Sequence, residues 1–516
     1  GPVKDLTQTS GIAERHPAWS PDGKAIAYWS DRSGEYELTV QDNSSGHAVE
    51  KRLTSYGPGF RYAIFWSPDS KKLAFIDKAN EIHIYDRNTG QTIVAGKGLR
   101  MAEGSLEAFS PSWSPDSRWL AYDRDMLNGH QAIFLYDYAN KTLHPVTNGY
   151  YSCSNPVFDR EGKYLFLLTN QSFNPLYSDL DNTFIYPNST RLAAIALKRS
   201  TPSPLYPKDD TVSIRQSDKA ADSNRTSADK KDKSPAAKKD EKEAEPKPVD
   251  IDIDGLESRL VFLPVDPGNY SNLQSAPGKL IFHQQPNTGD PSKEQPLQFF
   301  DFDKRKTKTI LGDVSSYQLS ADGKHLLVKK DGSFYIVAVD DNQKLEKKLR
   351  TSEMQMQVDP RQEWRQIFVD AWRLERDFFY DANMHGVNWD LVKERYQKML
   401  EGAVTREDVD FIIGEMIGEL SSSHTYHGGG AVEQTRHASV GYLGVDWQAE
   451  AGHYRIKKII RPASWDAEMR SPLDMPGVSV KEGDYILAVD GVELTTATEP
   501  YAAFRNLAGH SVELTY

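Results

Sequence analysis

The segment Ala18-Trp-Ser-Pro-Asp-Gly-Lys-Ala-Ile-Ala-Tyr28 decides the fold of the first two thirds of the chain, because it recurs. Close copies occupy residues 65–75 and 112–122, and their tryptophans stand at positions 19, 66 and 113, each 47 residues apart. In each copy an aromatic residue ends one strand, Ser-Pro-Asp-Gly or Ser-Pro-Asp-Ser forms a tight turn, and an alternating apolar run starts the next strand. Strand-rich repeats of about 40–50 residues are typical of β-propeller blades.

Weaker copies of this unit extend the repeat toward residue 350. Residues 157–166, 278–282 and 319–328 keep a turn followed by an apolar strand. A small sheet of this kind buries its faces only against neighbouring blades. The sequence therefore predicts a β-propeller over residues 1–350, with about six visible blades.

Residues 208–249 interrupt the repeat with lysine, aspartate, serine and alanine. This composition cannot bury a core, so we expect a disordered insertion that loops out of the propeller. A lysine-rich tract can bind an acidic partner, but the adjacent acids offset its charge and favour a solvated loop. The next segment, Asp250-Ile-Asp-Ile-Asp-Gly255, imitates a calcium-binding loop. Val261 stands where that loop needs a bidentate glutamate, so the sequence predicts no metal site, and the alternation also fits an edge strand.

The apolar period changes from two to 3.6 after residue 350. Asp359-Pro360 is typical of a helix start, with Gln362 placed to complete a capping box. Asn388 and Thr405 are expected to cap two further helices. The three predicted apolar faces are Trp364, Ile367, Phe368, Ala371, Trp372 and Phe379; Leu391, Val392, Tyr396 and Leu400; and Phe411, Ile412, Met416, Ile417 and Leu420. Residues 351–437 are therefore predicted to form a small helical domain.

A histidine stands just past the last predicted helix, in Ser421-Ser-Ser-His-Thr-Tyr-His-Gly-Gly-Gly430. Imidazole takes up and releases a proton near neutral pH, as a general base requires. A lone histidine after a helix is more often a capping or packing residue. His424 and His427 could pair on a metal, but two histidines without a carboxylate are a weak ligand set. Nothing in the chain is an obvious nucleophile for His424 to activate.

The last part of the chain returns to strands. Gly441-Tyr-Leu-Gly444 opens this part, and residues 454–460 alternate between apolar and polar side chains. Residues 480–494 combine a turn, a strand, an Asp-Gly hairpin turn and another strand. Residues 438–516 are therefore predicted to form a separate α+β domain.

Composition excludes several classes of protein. The formal net charge of -12 argues against nucleic acid as a partner, because phosphate binding usually needs a basic face. No apolar run approaches the roughly 20 residues of a membrane-spanning helix, so we expect no membrane association. The single cysteine, Cys153, rules out an internal disulfide.

The order of these parts resembles the tricorn protease family. The Trp-Ser-Pro-Asp-Gly blades are similar to those of TolB-like propellers, and residues 480–494 are similar to a PDZ domain. Met384-His-Gly-Val-Asn-Trp389 and Ser423-His-Thr-Tyr426 resemble the helical catalytic subdomain of that family. The resemblance implies a multidomain, mainly β protein: a β-propeller, then a small α-helical catalytic subdomain, then an α+β PDZ domain.

The family resemblance implies a serine peptidase that hydrolyses oligopeptides, with the propeller gating access. His424 would be the general base and Ser423 a neighbouring member of the catalytic tetrad. The nucleophilic serine, the oxyanion hole and a supporting glutamate would lie in a subdomain after the PDZ domain. We therefore expect the chain to be a fragment, inactive alone, without a cofactor or a metal. The PDZ loop, Gly441, Tyr442, Leu443 and Gly444, would bind peptide C-termini or brace the catalytic halves.

A second interpretation remains open at this point. The chain could be a non-catalytic scaffold in which propeller and PDZ domain hold peptide partners and His424 is vestigial. The family resemblance also implies a homo-oligomer for the full-length protein. A cytoplasmic location is expected, or a periplasmic one if a signal peptide was removed upstream.

Overall fold

The computed structural model describes residues 5–44, 49–99, 106–178, 180–207, 246–287, 290–432, 437–466 and 468–516. The chain divides into two compact units, residues 1–427 and 428–516. The first unit holds a series of antiparallel sheets and three helices, and the second holds two small sheets. The predicted domain boundaries at residues 350 and 437 stay predictions.

Six antiparallel sheets follow one another through the described part of residues 14–338. The first is formed by β1 (Glu14–Trp19), β2 (Ala25–Ser30), β3 (Glu37–Asp42) and β4 (Val49–Arg52). The second is formed by β5 (Phe65–Trp66), β6 (Lys72–Ile76), β7 (Glu81–Asp86) and β8 (Gln91–Lys97). The third is formed by β9 (Ser112–Trp113), β10 (Trp119–Asp125), β11 (Gln131–Asp137) and β12 (Thr142–Pro145).

The fourth sheet is built around a protruding hairpin. It orders its strands as β13 (Cys153–Phe158), β14 (Tyr164–Thr169), β17 (Arg191–Ala196) and β18 (Leu260–Phe262), and β15 (Leu176–Tyr177) and β16 (Phe184–Ile185) pair separately between β14 and β17. The fifth contains β19 (Tyr270–Ala276), β20 (Lys279–Gln284), β21 (Leu297–Asp301) and β22 (Lys306–Leu311). The sixth contains β23 (Ser316–Leu319), β24 (His325–Lys330) and β25 (Ser333–Ala338).

The repeated turn is closed in the same way in its three close copies. The carbonyl groups of Ser20, Ser67 and Ser114 each accept a hydrogen bond from the amide three residues later, at 2.8, 2.9 and 2.8 Å. That later residue has a φ of 69° at Gly23, and φ is also positive at the serines of the other two copies. The left-handed backbone at this position is why glycine suits the first copy.

The repeated tryptophan joins each sheet to the preceding one. Trp66 Nε1 donates to the Ala18 carbonyl at 2.9 Å, and Trp113 Nε1 donates to the Phe65 carbonyl at 3.3 Å. Trp19 belongs to the first described sheet and is 55% exposed. The 47-residue repeat therefore sets the stacking of the sheets as well as their turns.

The structure describes the last residues of the predicted insertion, 246–249. Val249 is buried between the third and fourth sheets, where its amide donates to Asp116 Oδ2 at 2.7 Å. Its carbonyl accepts a hydrogen bond from Trp119 Nε1 at 3.0 Å. The predicted insertion of residues 208–249 thus extends too far at this end, and residues 208–245 lie outside the described residues.

The aspartates that follow are held by basic groups and amides. Asp250 pairs with Lys198 Nζ at 2.8 Å, and Asp252 accepts the Arg199 amide at 2.7 Å. No strand forms over residues 250–255, so the edge-strand interpretation is wrong. Ile251 and Ile253 pack against the core instead, which explains the alternation without a strand.

Three α-helices follow the sheets: α1 (Pro360–Phe378), α2 (Trp389–Leu400) and α3 (Arg406–Gly418). Asn388 caps α2, and Thr405 forms a capping box with Asp408 at the start of α3. Asp359 caps α1, but Gln362 Nε2 donates to the Asp359 carboxylate at 2.8 Å. The predicted capping box at α1 is therefore replaced by a bond between the two side chains.

The helices share one core, with two exceptions to the predicted faces. The buried side chains common to the three helices include Phe368, Trp372, Trp389, Val392, Tyr396, Leu400, Val409, Ile412, Met416, Ile417 and Leu420. Leu391 and Phe411 were predicted to lie on these faces, but they are 51% and 63% exposed. Each lies next to a core position on its helix and points outward.

A buried charge cluster attaches α1 to the first sheet. Arg373 Nη1 lies 2.8 Å from Asp31 Oδ2, in the turn after β2, and both side chains are almost fully buried. Asp370, one turn earlier in α1, pairs with Arg15 of β1 and accepts a hydrogen bond from the Tyr36 hydroxyl at 3.0 Å. These contacts fix the helices against the start of the chain.

The second unit is a small α+β fold. One sheet contains β26 (Val445–Glu450), β27 (His453–Ile459) and β28 (Tyr485–Ile486), and the other contains β29 (Ala488–Val489), β30 (Val492–Glu493) and β31 (Leu514–Thr515). Short 3-10 helices lie at Pro472–Asp474 and Pro500–Phe504. None of the helices in the described ranges is both long and apolar enough to span a lipid bilayer.

Candidate functional site

The candidate general base lies on an irregular loop after α3. The helix ends at Gly418, Leu420 is fully buried, and residues 421–432 form no helix or strand. His424 is exposed on this loop and has a φ of 61°, a left-handed conformation that few residues other than glycine adopt. Contacts before and after His424 hold this loop on the helices.

The loop is anchored before His424 by a second histidine. His385 Nδ1 lies 2.8 Å from the Leu420 carbonyl, and its Nε2 is hydrogen-bonded to the Tyr380 hydroxyl. Because a carbonyl only accepts, Nδ1 carries the proton and Nε2 accepts from the tyrosine. The sequence reasoning gave His385 no role, although it lies in the quoted segment 384–389.

The loop is anchored after His424 by close packing on α3. A Cβ built on Gly414 would come 2.4 Å from His427 Nε2, so the imidazole of His427 rests directly on the glycine. A larger side chain at Gly414 would displace this ring. The sequence gave no signal for this contact beyond a glycine inside a predicted helix.

Ser423 contacts the candidate base directly. Its hydroxyl oxygen lies 3.2 Å from His424 Nδ1, and both side chains are exposed. Within the described residues, His424 Nε2 has no hydrogen-bond partner. The arrangement can hold the imidazole through Nδ1 and leave Nε2 open to an incoming proton donor.

Within the described residues, His424 and His427 belong to no group of three potential metal ligands. Among the described residues, Asp77, Glu81 and His83 are the one group of at least three potential ligands close enough to share an ion. Asp77 and His83 already lie 3.0 Å apart, and Lys97 neutralises Glu81 at the same distance. The Asp77–His83 hydrogen bond and the Glu81–Lys97 ion pair account for this cluster.

The predicted PDZ loop places two glycines where the backbone is crowded. A Cβ on Gly441 would meet the Leu507 carbonyl group at 3.3 Å, and one on Gly444 would meet the Ser471 backbone at 3.1 Å. Leu443 is buried, and Tyr442 is exposed and packs against Tyr501 at 4.9 Å between ring centroids. A side chain at either glycine would therefore meet neighbouring backbone, and the binding role of this loop stays a prediction.

An apolar groove adjoins this loop. Its volume is about 790 Å³, and its walls include Gly441, Leu443, Val478, Phe504 and Leu507. In the described chain the amide of Gly441 donates to Phe504, whereas those of the next three residues have no acceptor. Free amides beside an apolar groove can receive a carboxylate attached to an apolar side chain.

Comparison with known proteins then identifies the family. The family model of the tricorn protease second beta propeller domain matches residues 1–340, about two thirds of the chain. The chain belongs to the tricorn protease family. Models of the tricorn protease C1 domain and PDZ domain match residues 360–418 and 441–516. The predicted family and the predicted fold class, a propeller followed by a small helical domain and a PDZ domain, are confirmed.

Individual relatives cover the whole chain but share modest identity with it. Tricorn protease homolog 1 of Streptomyces coelicolor is 28% identical over 542 residues, which cover 100% of this chain and 48% of that protein. The tricorn protease of Thermoplasma acidophilum is 23% identical and covers 96% of this chain and 43% of that protein. A crystal structure of the tricorn protease superposes with a TM-score of 0.75 at 21% identity, over 97% of this chain and 46% of that chain. The chain therefore spans about half the length of the relatives it matches.

Proposed function

We propose that this chain carries the base half of a serine peptidase site that hydrolyses oligopeptides. His424 is the general base, Ser423 positions its ring, and the attacking serine comes from outside the residues of this chain. The observation that carries the proposal is the 3.2 Å contact between Ser423 and His424 Nδ1, which leaves Nε2 open on an exposed loop. Membership of the tricorn protease family supports the same activity.

The mechanism is acyl transfer in two steps. His424 Nε2 takes the proton of the serine hydroxyl as its oxygen attacks the peptide carbonyl, and then gives that proton to the leaving amine. Water hydrolyses the acyl-enzyme with the same base. Base function requires an unprotonated Nε2, so the ring proton is on Nδ1. The Nδ1–H group then donates a hydrogen bond to Ser423 Oγ. Ser423 thus orients the ring without supplying a negative charge.

The two anchors of the loop preserve this geometry during the reaction. His385 holds the backbone at Leu420, and His427 rests against Gly414, so the left-handed conformation at His424 is fixed from both sides. A misplacement of about 1 Å in a catalytic group can lower turnover about 100-fold. The stacked sheets that precede the helices would restrict access to this loop and so gate peptide entry.

The ring tautomer provides a test that needs no nucleophile. We expect the nitrogen chemical shifts of His424 to indicate a proton on Nδ1 in this chain, and a mixture of tautomers in Ser423→Ala. A proton found on Nε2 in the unmodified chain would remove His424 as the base. In the protein extended by the native downstream sequence, His424→Ala should abolish cleavage of fluorogenic peptides, and unchanged turnover would reject the catalytic role.

A second candidate function is peptide binding by the groove beside Gly441. The amides of Tyr442, Leu443 and Gly444, which have no acceptor among the described residues, favour an apolar peptide with a free C-terminal carboxylate. Fluorescence polarisation should detect such a peptide and should lose most of the signal when the carboxylate is amidated. Equal binding of both peptides would leave the loop with a bracing role only.

A further inference from the structure

The connection between α1 and α2 contains three consecutive residues with a positive φ. The angles are 51° at Met384, 55° at His385 and 80° at Gly386. A residue other than glycine rarely adopts this conformation, and a run of it persists only where neighbouring contacts hold it. Asp381 supplies such contacts, because its carboxylate accepts hydrogen bonds from the amides of Asn383 at 2.9 Å and His385 at 3.0 Å. The backbone of His385 is therefore held by its own turn, independently of the loop after α3.

Both ring nitrogens of His385 are engaged. The ring packs edge-on against Phe379, 5.0 Å between centroids, with Nδ1 2.8 Å from the Leu420 carbonyl oxygen and Nε2 against the Tyr380 hydroxyl. In the tautomer that carries its proton on Nδ1, the ring donates to the carbonyl and accepts from the tyrosine. In the other tautomer the lone pair of Nδ1 faces the carbonyl oxygen, so the contact with Leu420 changes from attraction to repulsion. The tautomer of His385 therefore decides whether this contact holds the loop.

The contact lies at the point where the loop leaves the helical core. Leu420 is fully buried, and its amide donates to the Ile417 carbonyl at 3.0 Å. His424 follows four residues later, on the exposed part of the loop. Because so few residues separate the two positions, a displacement of the Leu420 carbonyl would move the backbone that carries His424.

We propose that Tyr380 is a positioning residue for His424 and that it acts by fixing the tautomer of His385. This role rests on the proposed function of His424 as the general base. Tyr380 is 77% exposed, so burial of its ring contributes little to stability, whereas its hydroxyl donates to His385 Nε2. A water molecule could take the same place, but a phenol is a stronger acid than water and so the better donor. The tyrosine thus favours the ring proton on Nδ1, where it reaches the Leu420 carbonyl.

The tautomer of His385 in the 516-residue chain tests the role of Tyr380. In Tyr380→Phe we expect the ratio of Nε2-protonated to Nδ1-protonated His385 to rise about fivefold, as the loss of one hydrogen bond predicts. Nitrogen chemical shifts of isotopically labelled histidine report this ratio. Tyr396→Phe is the matched control, because its hydroxyl donates to Glu419 Oε1 at 2.8 Å, one residue before Leu420, and not to His385. An unchanged ratio in Tyr380→Phe, or an equal change in both variants, would overturn the proposal.

A pair of variants at His385 tests the direction of the hydrogen bond to Leu420. Asparagine and aspartate are similar in size and both tolerate a positive φ. The asparagine amide nitrogen stands as many bonds from the backbone as Nδ1 of histidine and can donate, whereas a carboxylate can only accept. We expect the amide-exchange rate of Leu420 to stay within about threefold of the unmodified chain in His385→Asn, and to rise by roughly tenfold or more in His385→Asp. Equal rates in the two variants would show that donation to Leu420 does not hold the loop, which also contradicts the proposal.

Turnover of the protein extended by the native downstream sequence separates the role of Tyr380 from the proposed function. If both hold, Tyr380→Phe lowers kcat by about threefold to tenfold and leaves KM unchanged, because the base is displaced and peptide binding is not. If His424→Ala retains full turnover, the proposed function fails, and the tautomer and exchange measurements still decide whether Tyr380 and His385 position the loop. If His424→Ala is inactive but Tyr380→Phe has full turnover despite an altered tautomer, Tyr380 does not position the base.

Discussion

Arg373→Met should detach α1 from the first sheet. The arginine lies 2.8 Å from Asp31, with side-chain exposures of 6% and 5%, and its Nη2 donates to the Gly34 carbonyl at 2.5 Å. Methionine retains most of the apolar stem but removes the charge and these hydrogen bonds. Asp31 is then left buried beside α1 without a cation.

The magnitude follows from the groups that remain. Removing one partner of a buried ion pair costs about 3–5 kcal/mol. In the variant, Asp370 still pairs with Arg15. Asp31 still accepts the hydrogen bond from the Ala13 amide to its Oδ1, at 2.9 Å. We therefore expect the low end, about 3 kcal/mol, or a roughly 150-fold increase in the opening equilibrium of α1.

Hydrogen exchange measured on α1 peptides reports this local opening directly. Arg395→Met is the matched control, because the Arg395–Glu419 pair is as short, 2.7 Å, but half exposed, and should cost less than about 1 kcal/mol. Asp31→Asn added to Arg373→Met should recover part of the protection, since no buried charge is then left alone. Equal loss of hydrogen-exchange protection in Arg373→Met and in the control would show that burial of the Arg373–Asp31 pair does not hold α1 in place.

Burial raises the pKa of Asp123 to about 6, so ionisation of this carboxyl group destabilises the folded state. The free energy of unfolding is therefore highest, as far as Asp123 is concerned, below pH ~4, and this contribution is lost as the pH rises through ~6. Asp123→Asn should match the unmodified chain at low pH in thermal scans and exceed it at pH ~8 by up to about 2–3 kcal/mol. Gly414→Ala should shift the nuclear magnetic resonance signals of His427 and lower turnover of the extended protein, with little change in melting temperature. Trp66→Phe removes the hydrogen bond to the Ala18 carbonyl and should lower the free energy of unfolding measured by calorimetry by about 1 kcal/mol. An unchanged free energy of unfolding would show that this bond does not stabilise the fold.

The sequence predicted best what is decided locally. The turns after Trp19 and its repeats, and the caps at Asn388 and Thr405, depend on residues within three positions of one another. Leu391 and Phe411 were misplaced because a 3.6-residue period identifies an apolar stripe but not its edge. Each adjoins a buried position, and only the packing of the helices decides which of the two neighbours is covered.

The candidate site was predicted in part for the same reason. His424 and Ser423 are adjacent in the sequence, so their contact was open to local reasoning. The anchors of their loop join residues that lie far apart: His385 reaches Leu420 over 35 positions. The attachment of α1 to the first sheet spans 342 positions, and no periodicity in the sequence encodes a contact of that range.

That separation has a consequence for the protein while it is being made. Asp31 leaves the ribosome 342 residues before Arg373. At a synthesis rate of about 5–20 residues per second, its carboxylate waits roughly 20–70 s for Arg373. During this interval the turn after β2 holds a charge that it is shaped to bury. The turn after β2 therefore cannot reach its folded environment until α1 has been synthesised.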